Sequence, residues 1–182
     1  NQNFTTSTDS HNTAVGHSAG QQVTTGIENV LLGSNAGLQL TDADYNIAIG
    51  HNALTNDTLG NRAIAIGRHA LETQNFTTAT SNYNIGIGYN TGRLITTGVE
   101  NTLIGGLNGD ALTQGARNTA VGYVALSSDT LGQYSVAVGY AALFAQNQTT
   151  AVNTYNVAVG YIAGHDISTG IQNVIIGSLA GD

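Results

Sequence analysis

Asn118-Thr119-Ala120-Val121-Gly122 is followed, one short step on, by Ser135-Val136-Ala137-Val138-Gly139. The same pattern, Asn-x-[Ala/Leu]-[Val/Ile]-Gly, recurs along the whole chain. It closes on Gly16, Gly33, Gly50, Gly67, Gly88, Gly105, Gly122, Gly139, Gly160 and Gly177. The steps are 17, 17, 17 and 21, then 17, 17, 17 and 21, then 17. A short repeat is therefore nested in a longer one of four rungs, which runs from Gly16 to Gly88 and from Gly88 to Gly160. Gln2-Asn3-Phe4-Thr5-Thr6 accordingly returns as Gln74-Asn75-Phe76-Thr77-Thr78 and as Gln146-Asn147-Gln148-Thr149-Thr150. A fixed period of this size predicts a solenoid, in which each unit buries its apolar face only against its neighbours. Residues 1–182 thus form a single repetitive segment, with super-repeats 1–72 and 73–144 and a partial third at 145–182. Both ends fall inside a repeat without a polar cap, which predicts a fragment of a longer fibre.

Counted from each closing glycine, the preceding position is always aliphatic (Val15, Leu32, Ile49 and their equivalents). The position three before it is always β-branched (Thr13, Val30, Ile47 and onward), and the one between is mostly Ala. β-Branched residues at alternate positions predict a short strand. Because the middle position is apolar too, both faces of that strand are expected to be covered, one by the solenoid interior and one by something else. Three after the glycine, Ala dominates. Turn strings such as Thr24-Thr25-Gly26, Thr58-Leu59-Gly60, Thr96-Thr97-Gly98 and Ser168-Thr169-Gly170 separate the rungs, their glycines expected to supply φ > 0 at a corner. The rungs with the step of 21 carry a longer loop, such as Asn75 to Asn82. No helical period persists beyond a turn. The expected fold is all-β: a parallel β-solenoid or β-roll of ten rungs, with a step of 17 or 21 from each closing glycine to the next.

Composition narrows the function. Charged residues are 8% of the chain, the net charge is −7, and Arg62, Arg68, Arg93 and Arg117 are its only Lys or Arg. Nucleic-acid binding needs clustered cations to neutralise phosphates, and an anionic membrane needs the same, so both are excluded as partners. There is no Cys for a disulfide or a thiolate metal site. No apolar run approaches the roughly 18 residues of a transmembrane helix.

Asn118-Thr-Ala-Val-Gly-Tyr-Val-Ala-Leu126 and Ser135-Val-Ala-Val-Gly-Tyr-Ala-Ala-Leu143 resemble the NTAVGYxAL repeats of phage and viral tail-fibre proteins. Those repeats often precede an endosialidase-type intramolecular chaperone domain. Ser135-Val-Ala-Val-Gly139 is also similar to the head repeat of trimeric autotransporter adhesins. The resemblance covers nearly the whole chain. It implies a parallel β-roll packed side by side as a homotrimer, serving as the shaft or head of an extracellular fibre on a virion or a cell surface. Independently, the second apolar strand face asks for cover that self-association would supply. End-to-end stacking into a filament is the competing arrangement.

Asn stands four before the glycine in eight rungs: Asn12, Asn29, Asn46, Asn84, Asn101, Asn118, Asn156 and Asn173, with Ala63 and Ser135 as exceptions. Eightfold repetition marks a structural ladder of side-chain hydrogen bonds rather than a catalytic amide. After the glycine come His17, Ser34, His51, Arg68, Tyr89, Gly106, Tyr123, Tyr140, Tyr161 and Ser178. Tyr89, Tyr123, Tyr140 and Tyr161 are the candidate glycan-contact residues, since aromatic rings stack on sugars; packing across rungs or between chains is the simpler account of them. His17 and His51, two rungs or roughly 10 Å apart, cannot share an ion within one chain. Asp42-Ala-Asp44 lacks the glycine and distal glutamate of a calcium loop. Glu28 and Glu100 become Gln172 in the third copy, which argues against an essential acid. No rung gathers paired carboxylates, and the sequence assigns no catalytic residue, metal ligand or cofactor. Asn3, Asn75 and Asn147 open glycosylation sequons, each one super-repeat from the next. The expected role is a rigid structural or adhesive fibre segment that contacts a receptor or glycan. A self-assembling extracellular filament is the alternative, and an ice-binding Thr face a weaker one.

Overall fold

The computed structural model describes residues 9–182, which are all-β, with parallel strands stacked as a solenoid of about ten turns. Ten three-residue strands form one continuous sheet: β1 (Thr13–Val15), β2 (Val30–Leu32), β3 (Ile47–Ile49), β5 (Ile64–Ile66), β7 (Ile85–Ile87), β8 (Thr102–Ile104), β9 (Thr119–Val121), β11 (Val136–Val138), β13 (Val157–Val159) and β14 (Val174–Ile176). Each is the triplet before a closing glycine. Neighbours pair in parallel register, Val30 on Ile47 and Ile64 on Ile85 for example. Four two-residue strands make two small parallel pairs: β4 (Gly60–Asn61) with β6 (Thr80–Ser81), and β10 (Gly132–Gln133) with β12 (Val152–Asn153). The long loops are therefore partly built structure, with Phe76 and Gln148 buried beneath them.

The closing glycine is obligatory for two reasons. Its φ lies between 128° and 142° in every rung, a region closed to L side chains. Its Cα also rests on the next glycine's carbonyl, so a Cβ on Gly33 would stand 2.7 Å from Gly50 O. The expectation for the Thr-Thr-Gly turns is corrected here. Gly26, Gly60, Gly98 and Gly170 are not in the positive-φ region. Gly26 and Gly98 are needed because the backbone of the next rung passes too close for a Cβ, and Gly60 because the Asp57 carboxylate does. The left-handed corners are held largely by other residues. Tyr45, Arg62, Asn52 and even Leu54, Val124 and Ile162 lie at φ 51–64°. Each such residue costs on the order of 1–2 kcal/mol. The corners persist because their N–H groups bond to adjacent rungs, as in Tyr45 N–H to Ile27 O (3.1 Å), Asn52 N–H to Ser34 O (3.0 Å) and Leu54 N–H to Ala70 O (3.0 Å).

Only one strand face is interior. The middle residue points inward and is fully buried in most rungs, with Leu31, Ala48, Ala65, Leu103, Ala120, Ala137 and Ala158 at 0–1% exposure. Core volume is exchanged between positions. Where the strand centre is Leu31 or Leu103, the residue six later is Gly37 or Gly109, whose Cβ would strike those leucines. Where the centre is Ala48, Ala65, Ala120 or Ala137, the later residue is buried Leu54, Leu71, Leu126 or Leu143. In these six rungs one of the two positions carries the large side chain, while at Ala14/Gly20, Gly86/Gly92 and Ala158/Gly164 both are small.

Gly33→Ala is expected to cost on the order of 3 kcal/mol or more. Gly106→Ala, whose new Cβ meets only the movable Tyr123 ring at 3.3 Å, should stay within about 0.5 kcal/mol of wild type. Urea midpoints followed by far-UV circular dichroism compare the two.

Candidate functional site

Three axial columns of side chains and one open strand face run the length of this rod. The Asn column is interior. Each Oδ1 accepts the N–H of the equivalent residue one rung on, as in Asn46 N–H to Asn29 Oδ1 (2.9 Å) and Asn118 N–H to Asn101 Oδ1 (3.0 Å). Each Nδ2 donates to a corner carbonyl, from Asn12 to Gly26 O (2.7 Å) through Asn84 to Gly98 O (2.7 Å) to Asn156 to Gly170 O (2.7 Å). Asn173 continues the series against Asn156 (N–H to Oδ1, 2.9 Å). These amides hold the corners and face no ligand.

The two breaks in the column have a cause that the glycine-centred reading missed. Seven positions after the closing glycine the chain reads Val23, Leu40, Asp57, Gln74, Ile95, Leu112, Asp129, Gln146 and Ile167. Asp57 and Gln74 are fully buried, as are Asp129 and Gln146. Asp57 accepts from Gly60 N–H (3.1 Å), Phe76 N–H (3.0 Å) and Gln74 Nε2 (2.6 Å). Gln74 Oε1 then accepts from Asn84 Nδ2 (2.9 Å). Asp129 repeats the pattern with Gly132, Gln148 and Gln146, and Gln146 also donates to Ser135 Oγ (2.8 Å). The Asp–Gln pair takes over the column at the Ala63 and Ser135 rungs and pins the start of each long loop. Burial pushes the Asp57 carboxyl above its ordinary value, against the lowering pull of its bonds to Phe76, Gln74, Gly60 and Thr58.

The residue after each glycine forms the second column. Tyr123 and Tyr140 stack with ring centroids 6.0 Å apart, and Tyr140 and Tyr161 at 5.3 Å. Arg68 lies 5.9 Å from the Tyr89 ring, and Gly106 separates Tyr89 from the stack. The tyrosines are about half exposed, but within the stack their faces are covered by one another, so edges and hydroxyls meet solvent. His51 packs edge-on against His69 (5.4 Å). Burial raises the Glu72 carboxyl, yet Arg93 (3.0 Å) and His69 (2.8 Å) outweigh it and hold it below its ordinary value.

The third column stands five before each glycine; in the sequence its positions are recognised as equivalent only at Glu28, Glu100 and Gln172, because no one residue type runs through it. It runs His11, Glu28, Tyr45, Arg62, Tyr83, Glu100, Arg117, Tyr134, Tyr155, Gln172. The Arg62 guanidinium sits 4.9 Å from the Tyr45 ring and 5.9 Å from Tyr83. Arg117 lies 5.4 Å from Tyr134 and 2.7 Å from Glu100, whose charge raises the guanidinium above its ordinary value. Tyr134 stacks on Tyr155 at 5.3 Å.

Between the second and third columns lies the outer strand face, which nothing among the described residues covers. At the two ends of the stack Val15 is 56% exposed, Leu32 46%, Val174 72% and Ile176 70%, while the outward residues of the central strands are mostly of intermediate exposure. A continuous aliphatic strip of this kind is an interaction surface.

Of the sequon residues, Asn75 and Asn147 are exposed, each accepting from a Thr hydroxyl of the preceding rung (Thr58 and Thr130, both 3.1 Å). Asn3 lies outside the described residues. The turn threonines donate along the axis, Thr41 to Thr58 O (3.0 Å) and Thr113 to Thr130 O (3.1 Å). Asp42 accepts from Thr25 Oγ1 (2.6 Å), and Asp44 from Ile27 N–H (2.9 Å). Among the described residues the one cluster with metal-ligand geometry is His165, Asp166 and Asp182, on the surface.

Asp57→Ala would leave three buried donors unpaired, so a loss of several kcal/mol, at about 1–3 per donor, is expected, against under about 0.5 for exposed Asp42→Ala. A raised folded-state value contributes stability below the unfolded value, near 3.8, and loses it as pH rises through the folded value. The urea midpoint of wild type relative to Asp57→Asn should therefore move in favour of wild type as pH falls from about 7 to about 4. Comparison of the chain with protein-family models, with curated proteins and with solved structures returns no match.

Proposed function

We propose that this chain is a segment of an extracellular fibre, a tail-fibre or surface-adhesin shaft or head. Its rungs, stepping by 17 or 21 along the sequence, make a rigid spacer, and its copies associate side by side as a homotrimer. The observation that carries the reading is the open aliphatic face, ten strands or about 45 Å long. A chain that stayed single would leave that strip in water at a cost proportional to its area. Association about an axis buries it while leaving the turns and long loops outside. The polar columns suit the mechanical part of the role. Stacked amides, hydroxyls and rings tie every rung to the next, so bending or local opening breaks several contacts at once.

Contact with a receptor or glycan belongs to the surface left outside the assembly. A sugar would stack on an aromatic face only where the tyrosine column is interrupted or ends, at Tyr89 and Tyr123 on either side of Gly106 and at Tyr161 beside Ser178. The reading assigns the segment no catalysis, cofactor or metal. A filament of copies stacked end to end is the second arrangement; it leaves the aliphatic face bare. Ice binding is weaker still, because the turn hydroxyls donate to carbonyls rather than forming a free array.

Sedimentation equilibrium at tens of micromolar is expected to give three times the 18.6 kDa chain mass. Val138→Asp, on the eighth of the face's ten strands, should reduce that to the single-chain mass with the β spectrum kept. A wild-type chain that stays monomeric rules the trimer out, and micrometre rods under the electron microscope would favour the filament.

A further inference from the structure

The aliphatic face has two unlike borders, and their sequence order fixes the register in which two copies can meet. On one border stand Glu28, Tyr45, Arg62, Tyr83, Glu100, Arg117, Tyr134 and Tyr155. On the other stand His51, Arg68, Tyr89, Gly106, Tyr123, Tyr140, Tyr161 and Ser178. The aliphatic columns cannot choose a register, because every rung offers nearly the same Val, Ile, Leu or Thr. Three of the chain's four arginines stand on these borders, so the borders must make the choice.

Resting on the side-by-side association proposed above, we infer that neighbouring copies run parallel, with the first border of one lying against the second border of the next in a register displaced by one rung. In a closed threefold ring all copies stand at one height. The displacement therefore comes from the inclination of the strands to the threefold axis, which lifts one border of each rung above the other. In the level register Arg62 would face Arg68, a like-charge meeting beside a desolvated face. Displaced by one rung, Arg62 faces Tyr89, Tyr45 faces Arg68 and Arg117 faces Tyr140. Each border arginine then gains an aromatic partner across the interface. Glu28 comes opposite the His51 ring and Glu100 opposite the Tyr123 hydroxyl, each carboxylate gaining a donor. The opposite displacement sets Arg62 against His51 and Arg117 against Gly106, and two of the three arginines lose the aromatic contact. The within-chain pairs already present, Arg62 between Tyr45 and Tyr83 and Arg68 on Tyr89, hold these groups at the corners where a neighbour would meet them.

The chain has no cysteine, so disulfides report the register without background. Tyr134→Cys with Tyr161→Cys places the two thiols opposite each other between copies only in the one-rung register. Tyr155→Cys with Tyr161→Cys does so only in the level one. Within one chain either pair is separated by a whole strand, beyond the Cα reach of about 7 Å that a disulfide allows. Mild oxidation should convert the first variant to a covalent trimer on a non-reducing gel and leave the second uncrosslinked, both keeping the wild-type β spectrum and sedimenting mass before oxidation. Covalent trimer from the second variant instead overturns the one-rung register and leaves the association standing. A wild-type chain that sediments as a monomer overturns the association itself. Arg68→Glu gives a measurement free of cysteine. Weaker association is expected, because Tyr45 loses its cation; tighter association would mean that Arg62 faces residue 68, which overturns the one-rung register.

Discussion

The carbonyl oxygen of each closing glycine sits where the previous rung's closing residue would need its Cβ. That contact sets the distance between rungs, and every axial bond in the rod is built at the distance it allows. With a side chain at Gly33 or Gly50 the turns would spread. The strand ladder, the Asn column and the corner N–H bonds would then lengthen together. The left-handed corners follow from the same constraint. A rung this short must turn sharply several times, and residues such as Val124 and Ile162 accept φ near 51–58° because the N–H groups of those corners reach carbonyls on neighbouring rungs at 3.1 and 2.8 Å. The strain is local, and what offsets it is collective.

The four-rung super-period is a packing pattern before it is anything else. The rungs centred on Leu31 and Leu103 have Gly at the facing corner and Leu at the turn. The rungs centred on Ala48, Ala65, Ala120 and Ala137 have Leu at that corner and Asp or Gln at the turn, whereas those centred on Ala14 and Ala158 have Gly at the corner and Val23 or Ile167 at the turn. The Asp–Gln pair is the polar half of the scheme. Its carboxylate gathers the N–H groups exposed where the chain departs into a long loop, and its amide passes the bond on to Asn84 or Asn156. An uncompensated buried carboxylate is costly, which is why burial raises Asp57. It is kept because an apolar residue there would strand the same donors.

The strands could be read directly from the sequence, because a β-branched pair around a small residue before glycine specifies geometry position by position. The interior amide column could be read as well, since one residue type recurs. The buried Asp–Gln pair and the Tyr–Arg border could not. Their positions change residue type from rung to rung, so they have no signature until the rungs are stacked. The turn glycines misled for a physical reason: glycine serves close approach as well as positive φ, and the sequence does not distinguish the two. The second strand face is the instructive case. Its aliphatic character was plain, but whether its cover comes from the same chain is a question of cross-section, which spacing does not encode.

The distribution of charge separates the surfaces by role. A chain with so few charges places Arg62, Arg68 and Arg117 at the margins of its bare apolar face, and puts its tyrosines there too. Rings and guanidiniums at a margin are amphipathic: they extend the apolar strip while giving it a polar edge. A face meant for lipid or for arbitrary hydrophobes would gain nothing from borders that differ in sequence from each other. Borders that are unlike but mutually complementary suit a partner presenting the other border in a fixed register, and a parallel copy of the same chain is the surface guaranteed to do so.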